Sequence, residues 1–216
     1  HGPHLPLSTD VVIGAAFSER IAEKLGAFVT PVIPISNCRE HMGKMGSVFM
    51  KPETCYNMLY DIVMSIKEQG FKKCVIFQSH GGIFVIPPLI RQVNAENNPD
   101  FMLCKVEIMN LMADAAKEEI LTSGVYMHAD EYETSVMLHL HPELVDMSKA
   151  VDCCPQVPRE YLNYGSIFRF CPEGVWGVPT AATAEKGEKL LESGTRSAVK
   201  YINDTFSFME SKNKIG

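Results

Sequence analysis

The chain has 216 residues, a formal net charge of −6 and a pI of about 5.7, with no long run of lysine or arginine, so neither nucleic acid nor an anionic membrane is expected as its main partner. No segment is apolar over the roughly 18 residues that a membrane-spanning helix needs. The seven cysteines are odd in number and form no CxxC pair, which argues against a zinc ribbon and indicates reduced thiols in a cytoplasmic protein.

Hydrophobic periodicity and the positions of glycine and proline predict alternating helices and strands. Helices are predicted over residues 11–26, 52–70, 84–97, 113–124, 131–142 and 184–211, the last of which is either one long helix or a pair. Strands are predicted over residues 27–35, 72–82 with a tight loop at the end, 101–110, and once or twice within 161–178. The alternation indicates a layered α/β fold, and the buried run CVIF favours a largely parallel sheet covered on both faces.

The first ten residues, HGPHLPLSTD, combine His1 and His4 with Asp10. Imidazole and carboxylate groups are ordinary ligands of a divalent metal, and the prolines hold the segment in an extended or looped form. The alternative is a poorly ordered terminus in which Asp10 caps the following helix. Both interpretations remain open on the spacing alone.

Two further clusters could carry chemistry. His80 follows a buried strand and precedes two glycines, which would let a ligand approach the backbone closely. In HADEYETS, His128 stands beside Asp130, Glu131 and Glu133 at a predicted helix start. The carboxylates could simply match the helix dipole, or His128 could act as a general acid or base.

The remaining histidines are interpreted as structural or solvated. His139 and His141 lie near the predicted end of a helix, where histidine is favourable by itself. The triplet Arg39, Glu40 and His41 is predicted to be a solvated, charged loop.

The stretches HGPHLPLSTD, EHMGKMGS, SHGG, HADEYETS and GVPTAATAEKG, in this order, resemble the creatininase (creatinine amidohydrolase) family over nearly the whole chain. The resemblance implies a single domain over residues 1–216, an α/β fold built as a three-layer α/β/α sandwich with a mostly parallel central sheet. It also implies two divalent metal ions, of zinc, manganese or iron, and hydrolysis of C–N bonds in amides. Members of the family are commonly homo-oligomers, often hexamers.

The resemblance also implies roles for individual residues. His1 and His80 match ligands of the two different metals, and Asp10 matches the carboxylate that bridges them. His128 matches the histidine that moves protons at the scissile amide. Glu133 matches the acidic residue near or at the metals, and it is therefore a candidate both for metal binding and for catalysis.

This chain differs from the family pattern at three places, and each difference leads to an expectation. The first family motif runs Glu-x-His-Gly, so we expect the natural polypeptide to extend upstream of His1 by at least a strand and this Glu-x pair. Creatininase itself has an acidic ligand where this chain has Gly82, so Glu133 or another group is expected to complete the second metal site. Residues 122–127 contain no tryptophan where creatininase has one, so creatinine is not the expected substrate.

The resulting functional hypothesis is a metal-dependent amidohydrolase that cleaves a small amide, formamide or cyclic amide by metal-activated water. One alternative is a family member that has lost catalysis and instead binds a ligand or assembles with partners. Another is a peptidase of cofactor maturation, an activity that the family also contains.

Overall fold

The computed structural model describes residues 1–212, and six α-helices and four short strands lie within that range. In chain order they are α1 (Thr9–Leu25), α2 (Pro52–Glu68), β1 (Lys73–Gln78), α3 (Ile86–Asn97), β2 (Met102–Glu107), α4 (Ile108–Lys117), β3 (Tyr126–His128), α5 (Glu131–Leu140), β4 (Trp176–Gly177) and α6 (Ala184–Lys212). No helix among these residues combines the length and the apolar character that are required to cross a bilayer.

Strands β1 and β2 form a parallel pair that runs in register from Lys73 opposite Met102 to Gln78 opposite Glu107, with α3 as the connection between them. A parallel pair needs such a crossover, because its strands run in the same direction. Strands β3 and β4 form a separate antiparallel pair, with His128 opposite Trp176.

Side chains of β1 and β2 alternate between two hydrophobic cores, as the two-residue period of a strand requires. Cys104 and Val106 pack with α1, α4, α5 and α6 on one face. Leu103 packs with α2 and α3 on the other, where Leu59 and Leu89 are buried. Helices therefore pack against both faces of the β1–β2 pair, while the CVIF side chains themselves are only partly buried.

The α/β class is confirmed, but the sheets of residues 1–212 are smaller than predicted. The strand predicted over 27–35 is wrong: this segment forms no strand and belongs to no sheet. It contains Pro31 and Pro34, which cannot donate to a ladder, and the exposed side chain of Phe28. Residues 161–178 contain short 3-10 turns and only the two-residue β4.

The predicted helices agree with the structure better than the predicted strands do, and they differ from it mainly at their ends. The helix predicted over 113–124 begins earlier, at Ile108, and ends at Lys117, so it takes over the last part of the strand predicted over 101–110. The C-terminal segment forms the single helix α6 rather than a pair. These boundaries bring the segments that precede α1, follow β1 and separate β3 from α5 to one side of the molecule.

Candidate metal centre

The N-terminal segment is fixed against α5 by His4, which is only 2% exposed. His4 Nε2 and Thr134 Oγ1 share a hydrogen bond of 2.9 Å, and the backbone N–H of Asp146 donates to the carbonyl of His4 at 2.9 Å. Burial, together with the charge of His1, lowers the pKa of His4 to about 4. The segment therefore docks through a neutral imidazole, which brings His1 into the interior.

Asp10 stands between two histidines that are distant in sequence. Its Oδ1 lies 3.3 Å from His1 Nε2, and its Oδ2 lies 3.2 Å from His80 Nδ1. Burial alone would raise the pKa of Asp10, but the two histidines outweigh it and hold that pKa well below its usual range. Asp10 does not cap α1, because it lies inside the first turn and Ser8 is the N-cap residue.

The same contacts also shift the pKa values of the two histidines, in the opposite direction to that of Asp10. Burial alone would lower the pKa of His1, but Asp10 and then Glu133 raise it above the ordinary value. Burial also opposes the charge on His80, yet hydrogen bonds to Asp10 and Glu40 raise its pKa well above the ordinary value. A carboxylate thus faces each imidazole closely enough to favour its charged form.

Glu133 reaches the site through the cap of α5. Asp130 is the N-cap residue, and its Oδ1 accepts from the Glu133 N–H at 3.0 Å. Glu133 Oε2 accepts from the Ala129 N–H at 2.6 Å and lies 3.9 Å from His1 Nε2. Burial raises the pKa of Glu133 despite the opposing influence of His1. These two hydrogen bonds therefore fix the Glu133 carboxylate in the interior rather than at the solvent.

A strained turn directs His128 and Glu133 to the same space. Ala129 has φ 49°, a left-handed conformation that costs an L-residue roughly 1–2 kcal/mol. His128, just before it, is 7% exposed, and its Nε2 has no hydrogen-bond partner among residues 1–212. Burial, followed by the charges of His1 and His41, lowers the pKa of His128 well below its ordinary value. A neutral imidazole with an open nitrogen can accept a proton or bind a metal.

The other carboxylate of the HADEYETS stretch has a structural role. Glu131 is fully buried and accepts hydrogen bonds from the backbone N–H groups of Thr122 and Ser123. Lys186 Nζ lies 2.6 Å from its Oε1. Burial opposes the charge, but these contacts, with Lys186 first, lower the pKa of Glu131 to about 2. Glu131 thus joins α5 to α6 as a buried ion pair.

The interpretation of Glu40 and His41 as solvated is wrong. They form a 3-10 turn beside the loop that follows β1, and the Glu40 side chain is 14% exposed. His80 Nε2 donates to Glu40 Oε1 at 2.8 Å, and the His41 ring centroid lies 5.4 Å from that of His80 and 4.3 Å from that of His128. Their presence in EHMGKMGS, one of the family-like stretches, is the signal that could have identified them.

The titratable side chains fall into two groups that could each hold a cation. One ligand atom from each of His1, His128 and Glu133 lies within 4.8 Å of the others, and the same is true of Glu40, His41 and His80. Asp10 contacts a histidine of each group. Imidazole nitrogens and carboxylate oxygens are the donors that zinc and manganese accept. The buried Nε2 atom of His128, which lacks a hydrogen-bond partner among residues 1–212, also fits a metal centre.

Five of these side chains line a cavity of about 700 Å³, a volume in the range that accommodates small molecules; they are Glu40, His41, His80, His128 and Glu133. Its walls also include apolar side chains, among them Met109, Met127 and Ile167. Arg159 lies at this cavity and donates through Nη2 to the carbonyl of Gly81 at 3.0 Å. His141 is half exposed and pairs with Glu143 at 3.0 Å, outside the cavity lining.

Comparison with known sequences places these features in one family. The family model described as Creatininase: Creatinine amidohydrolase matches residues 1–202. The chain is 28% identical to a 3-dehydro-scyllo-inosose hydrolase of Thermotoga maritima, over 94% of this chain and 73% of the relative. It is 24% identical to a creatinine amidohydrolase of Pseudomonas putida (95% and 85% of the two chains) and 29% identical to a mycofactocin precursor peptide peptidase of Mycobacterium ulcerans (88% and 75%).

Comparison with solved structures agrees with the sequence match. A mutant creatininase complexed with creatine superposes with a TM-score of 0.80 at 25% identity, covering 95% of this chain and 87% of that one. The manganese form of creatininase superposes with the same TM-score, 0.80, at 24% identity, over 95% and 86% of the two chains. This protein belongs to the creatininase (creatinine amidohydrolase) family.

Proposed function

We propose that this protein is a metal-dependent amidohydrolase that uses water to cleave a C–N bond of a small amide, formamide or cyclic amide. The observation that carries the proposal is the carboxylate of Asp10, which contacts His1 through one oxygen and His80 through the other. Membership of the creatininase family supports the reaction class, and the relatives include a creatinine amidohydrolase.

The centre would hold two divalent cations, of zinc, manganese or iron. His1, Asp10 and Glu133 would bind one ion, while Asp10 and His80 would bind the other. When bound, such ions polarise a substrate carbonyl and lower the pKa of a water molecule. The donor set supports this assignment, because each side of Asp10 offers at least one imidazole and one carboxylate within reach.

His128 would move the proton that amide hydrolysis requires. Its neutral ring can accept a proton at Nε2 as water attacks the carbonyl carbon, and it can then give that proton to the nitrogen as the C–N bond breaks. The products are a carboxylic acid and an amine. Burial, followed by the charges of His1 and His41, whose ring centroids lie 4.6 and 4.3 Å from that of His128, disfavours the charged form of His128 at rest.

Glu133 would orient the reacting groups as well as bind the cation. Its Oε2 is held by the Ala129 N–H and faces His1 Nε2 at 3.9 Å, so the carboxylate cannot turn away without breaking the cap of α5. An oxygen in this position can accept a hydrogen bond from the attacking water. The apolar cavity wall would limit bulk water around the reacting amide.

A peptidase that acts in cofactor maturation is the second candidate, and the 29% identical mycofactocin precursor peptide peptidase favours it. Both candidates hydrolyse an amide, and they differ in the size of the substrate. A cavity of about 700 Å³ favours a small molecule over an extended peptide. We therefore place the small amide first.

The experiment is a hydrolysis assay on a panel of small amides, formamides, cyclic amides and short peptides. Each substrate is measured with the metal-loaded protein, with the chelator-treated protein, and again after Mn²⁺ or Zn²⁺ is restored. We expect turnover of a small amide that disappears on chelation and returns with the metal. Turnover that is equal in the metal-free protein would contradict the proposal, while turnover of peptides alone would favour the second candidate.

We extend the remaining expectations from the sequence as parts of the same proposal. The helices on both faces of β1 and β2 would be the outer layers of a three-layer α/β/α sandwich. The chain would form one domain and assemble as a homo-oligomer, with six copies as in many members of the family. It would act in the cytoplasm on a small-molecule substrate, with no nucleic-acid or membrane partner.

A further inference from the structure

Gly82 leaves a space next to His80 that the Glu40 carboxylate fills. A Cβ atom built on Gly82 would overlap Glu40 Oε1 and would lie 2.6 Å from His80 Nε2. The φ angle of Gly82 is not in the left-handed region, so the backbone at this position does not itself demand glycine. The absence of a side chain at position 82 is therefore explained by what lies in its place.

Glu40 reaches this space from a different part of the chain. It lies in the 3-10 turn Arg39–His41, and that turn is placed beside the loop after β1 partly because Asn37 Nδ2 donates to the Gly82 carbonyl at 3.3 Å. Glu40 Oε1 lies 2.8 Å from His80 Nε2. Two loops distant in sequence thus bring a carboxylate and an imidazole into direct contact.

The pair of Glu40 and His80 lies next to Asp10, so the side chains that could bind a metal form a continuous row. Asp10 contacts the other ring nitrogen of His80 at 3.2 Å, and His41 belongs to the group whose ligand atoms lie within 4.8 Å of one another. On the opposite side of Asp10, His1 has the carboxylate of Glu133 nearby at 3.9 Å. Each histidine that faces Asp10 is therefore accompanied by a second carboxylate.

We propose that Glu40 is a positioning residue of the metal centre: it holds His80 through Nε2, from outside the loop that contains His80, and so keeps Nδ1 directed to the cation site beside Asp10. The proposal rests on the metal centre proposed above and concerns its second site. Position 82 is glycine because this carboxylate needs the space, and a side chain at 82 and a carboxylate at 40 are mutually exclusive there.

The first test measures Mn²⁺ binding by calorimetry to the chelator-treated full chain, with electron paramagnetic resonance to distinguish paired from single Mn²⁺ ions. For the wild-type chain we expect two ions and a signal from a coupled pair. Glu40→Gln should retain one ion and bind the second about 10- to 100-fold more weakly, which is the typical cost of losing a carboxylate that orients a ligating histidine. The coupled signal should be replaced by that of a single ion.

The matched control is Glu143→Gln, which removes the same kind of carboxylate–imidazole contact, at 3.0 Å from His141, on the surface. It should leave both ions and the coupled signal unchanged. Thermal unfolding of each metal-free variant checks that the fold is retained. If Glu40→Gln binds two ions with wild-type affinity, or loses both equally, the proposal is wrong, although the proposed centre itself would survive the first of these outcomes.

The second test transfers the carboxylate from position 40 to position 82. Gly82→Ala should weaken the second ion in the same way as Glu40→Gln, because its Cβ displaces the Glu40 carboxylate. Glu40→Ala combined with Gly82→Glu should restore the second ion and the coupled signal. A double variant that binds no better than Glu40→Ala alone would overturn the claim that the two positions share one space. A wild-type chain that takes up no ion would overturn this proposal together with the proposed function.

Discussion

His80 Nδ1 lies 3.2 Å from Asp10 Oδ2, so an imidazole from the loop after β1 meets a carboxylate from the first turn of α1. The second oxygen of the same carboxylate faces His1 at 3.3 Å. Neither contact follows from the position of Asp10 in the sequence, where it could equally have capped α1. Its two contacts make Asp10 the residue on which both halves of the proposed centre depend.

Replacing Asp10 with asparagine should remove both cations. The amide keeps the size of the side chain but loses the charge that each ion needs, so we expect each ion to bind at least about 100-fold more weakly. Elemental analysis after dialysis measures the number of ions per chain. Asp204→Asn, which removes a surface carboxylate paired with Lys200, is the control and should retain both ions. An Asp10→Asn protein with two tightly bound ions would contradict the bridging role.

His128→Asn should separate proton transfer from metal binding. Because we assign His128 to moving a proton, we expect kcat to fall by about 10²- to 10⁴-fold while both ions remain bound. Steady-state kinetics on the best small amide, together with elemental analysis, make the measurement. His141→Asn, at a half-exposed histidine outside the cavity, should behave as the wild type. Loss of an ion in His128→Asn would instead make His128 a ligand.

His4 should make the stability of the fold depend on pH. Its pKa is about 4 in the folded protein and about 6.5 when unfolded, so the unfolded chain binds more protons between these values. Its contribution is complete above pH 6.5 and is lost as the pH falls towards 4, up to about 3 kcal/mol at 1.36 kcal/mol per pKa unit. Urea unfolding at pH 7.5 and 4.5 should show a smaller loss in His4→Asn than in the wild type. An equal loss in both proteins would contradict this account.

Gly187→Ala should destabilise the protein although it lies in a helix. In an exposed helix, this change stabilises by about 1 kcal/mol. Here a Cβ on Gly187 would overlap the Ser135 carbonyl and would lie 2.7 Å from the Cβ of His139, so α6 would be pushed away from α5. We expect a loss of about 1–3 kcal/mol in the free energy of unfolding, as for other overpacked sites. Glu188→Ala, on the exposed face of α6, should change stability by less than about 0.5 kcal/mol.

The helices of this fold are largely predictable from sequence, whereas the sheet is not. Proline at the start of α2 and glycine after α1 mark helix ends that the structure reproduces closely. The segment 27–35 has the composition of a strand but belongs to no sheet. Composition describes a strand's preference for extended backbone, but pairing depends on a partner that can lie anywhere in the chain.

The residues of the candidate site likewise divide into those that the sequence predicts and those that it does not. His1, Asp10, His80, His128 and Glu133 are predicted from motifs, and the structure brings all five together. Their roles stay predictions. Glu40 and His41 were missed because a charged triplet in a loop is usually solvated; the stretch EHMGKMGS is the one sequence signal for them, and it does not show that this loop packs against His80. Contacts of this kind depend on the meeting of two loops, which local sequence does not encode.

The most direct test of the metal centre is anomalous scattering from crystals of the full chain soaked with Mn²⁺, recorded at the manganese edge. We expect two peaks, one on each side of the Asp10 carboxylate, with His1 and Glu133 beside one peak and His80 beside the other. An anomalous map with no peak next to Asp10, from crystals of protein that had hydrolysed an amide, would contradict the account.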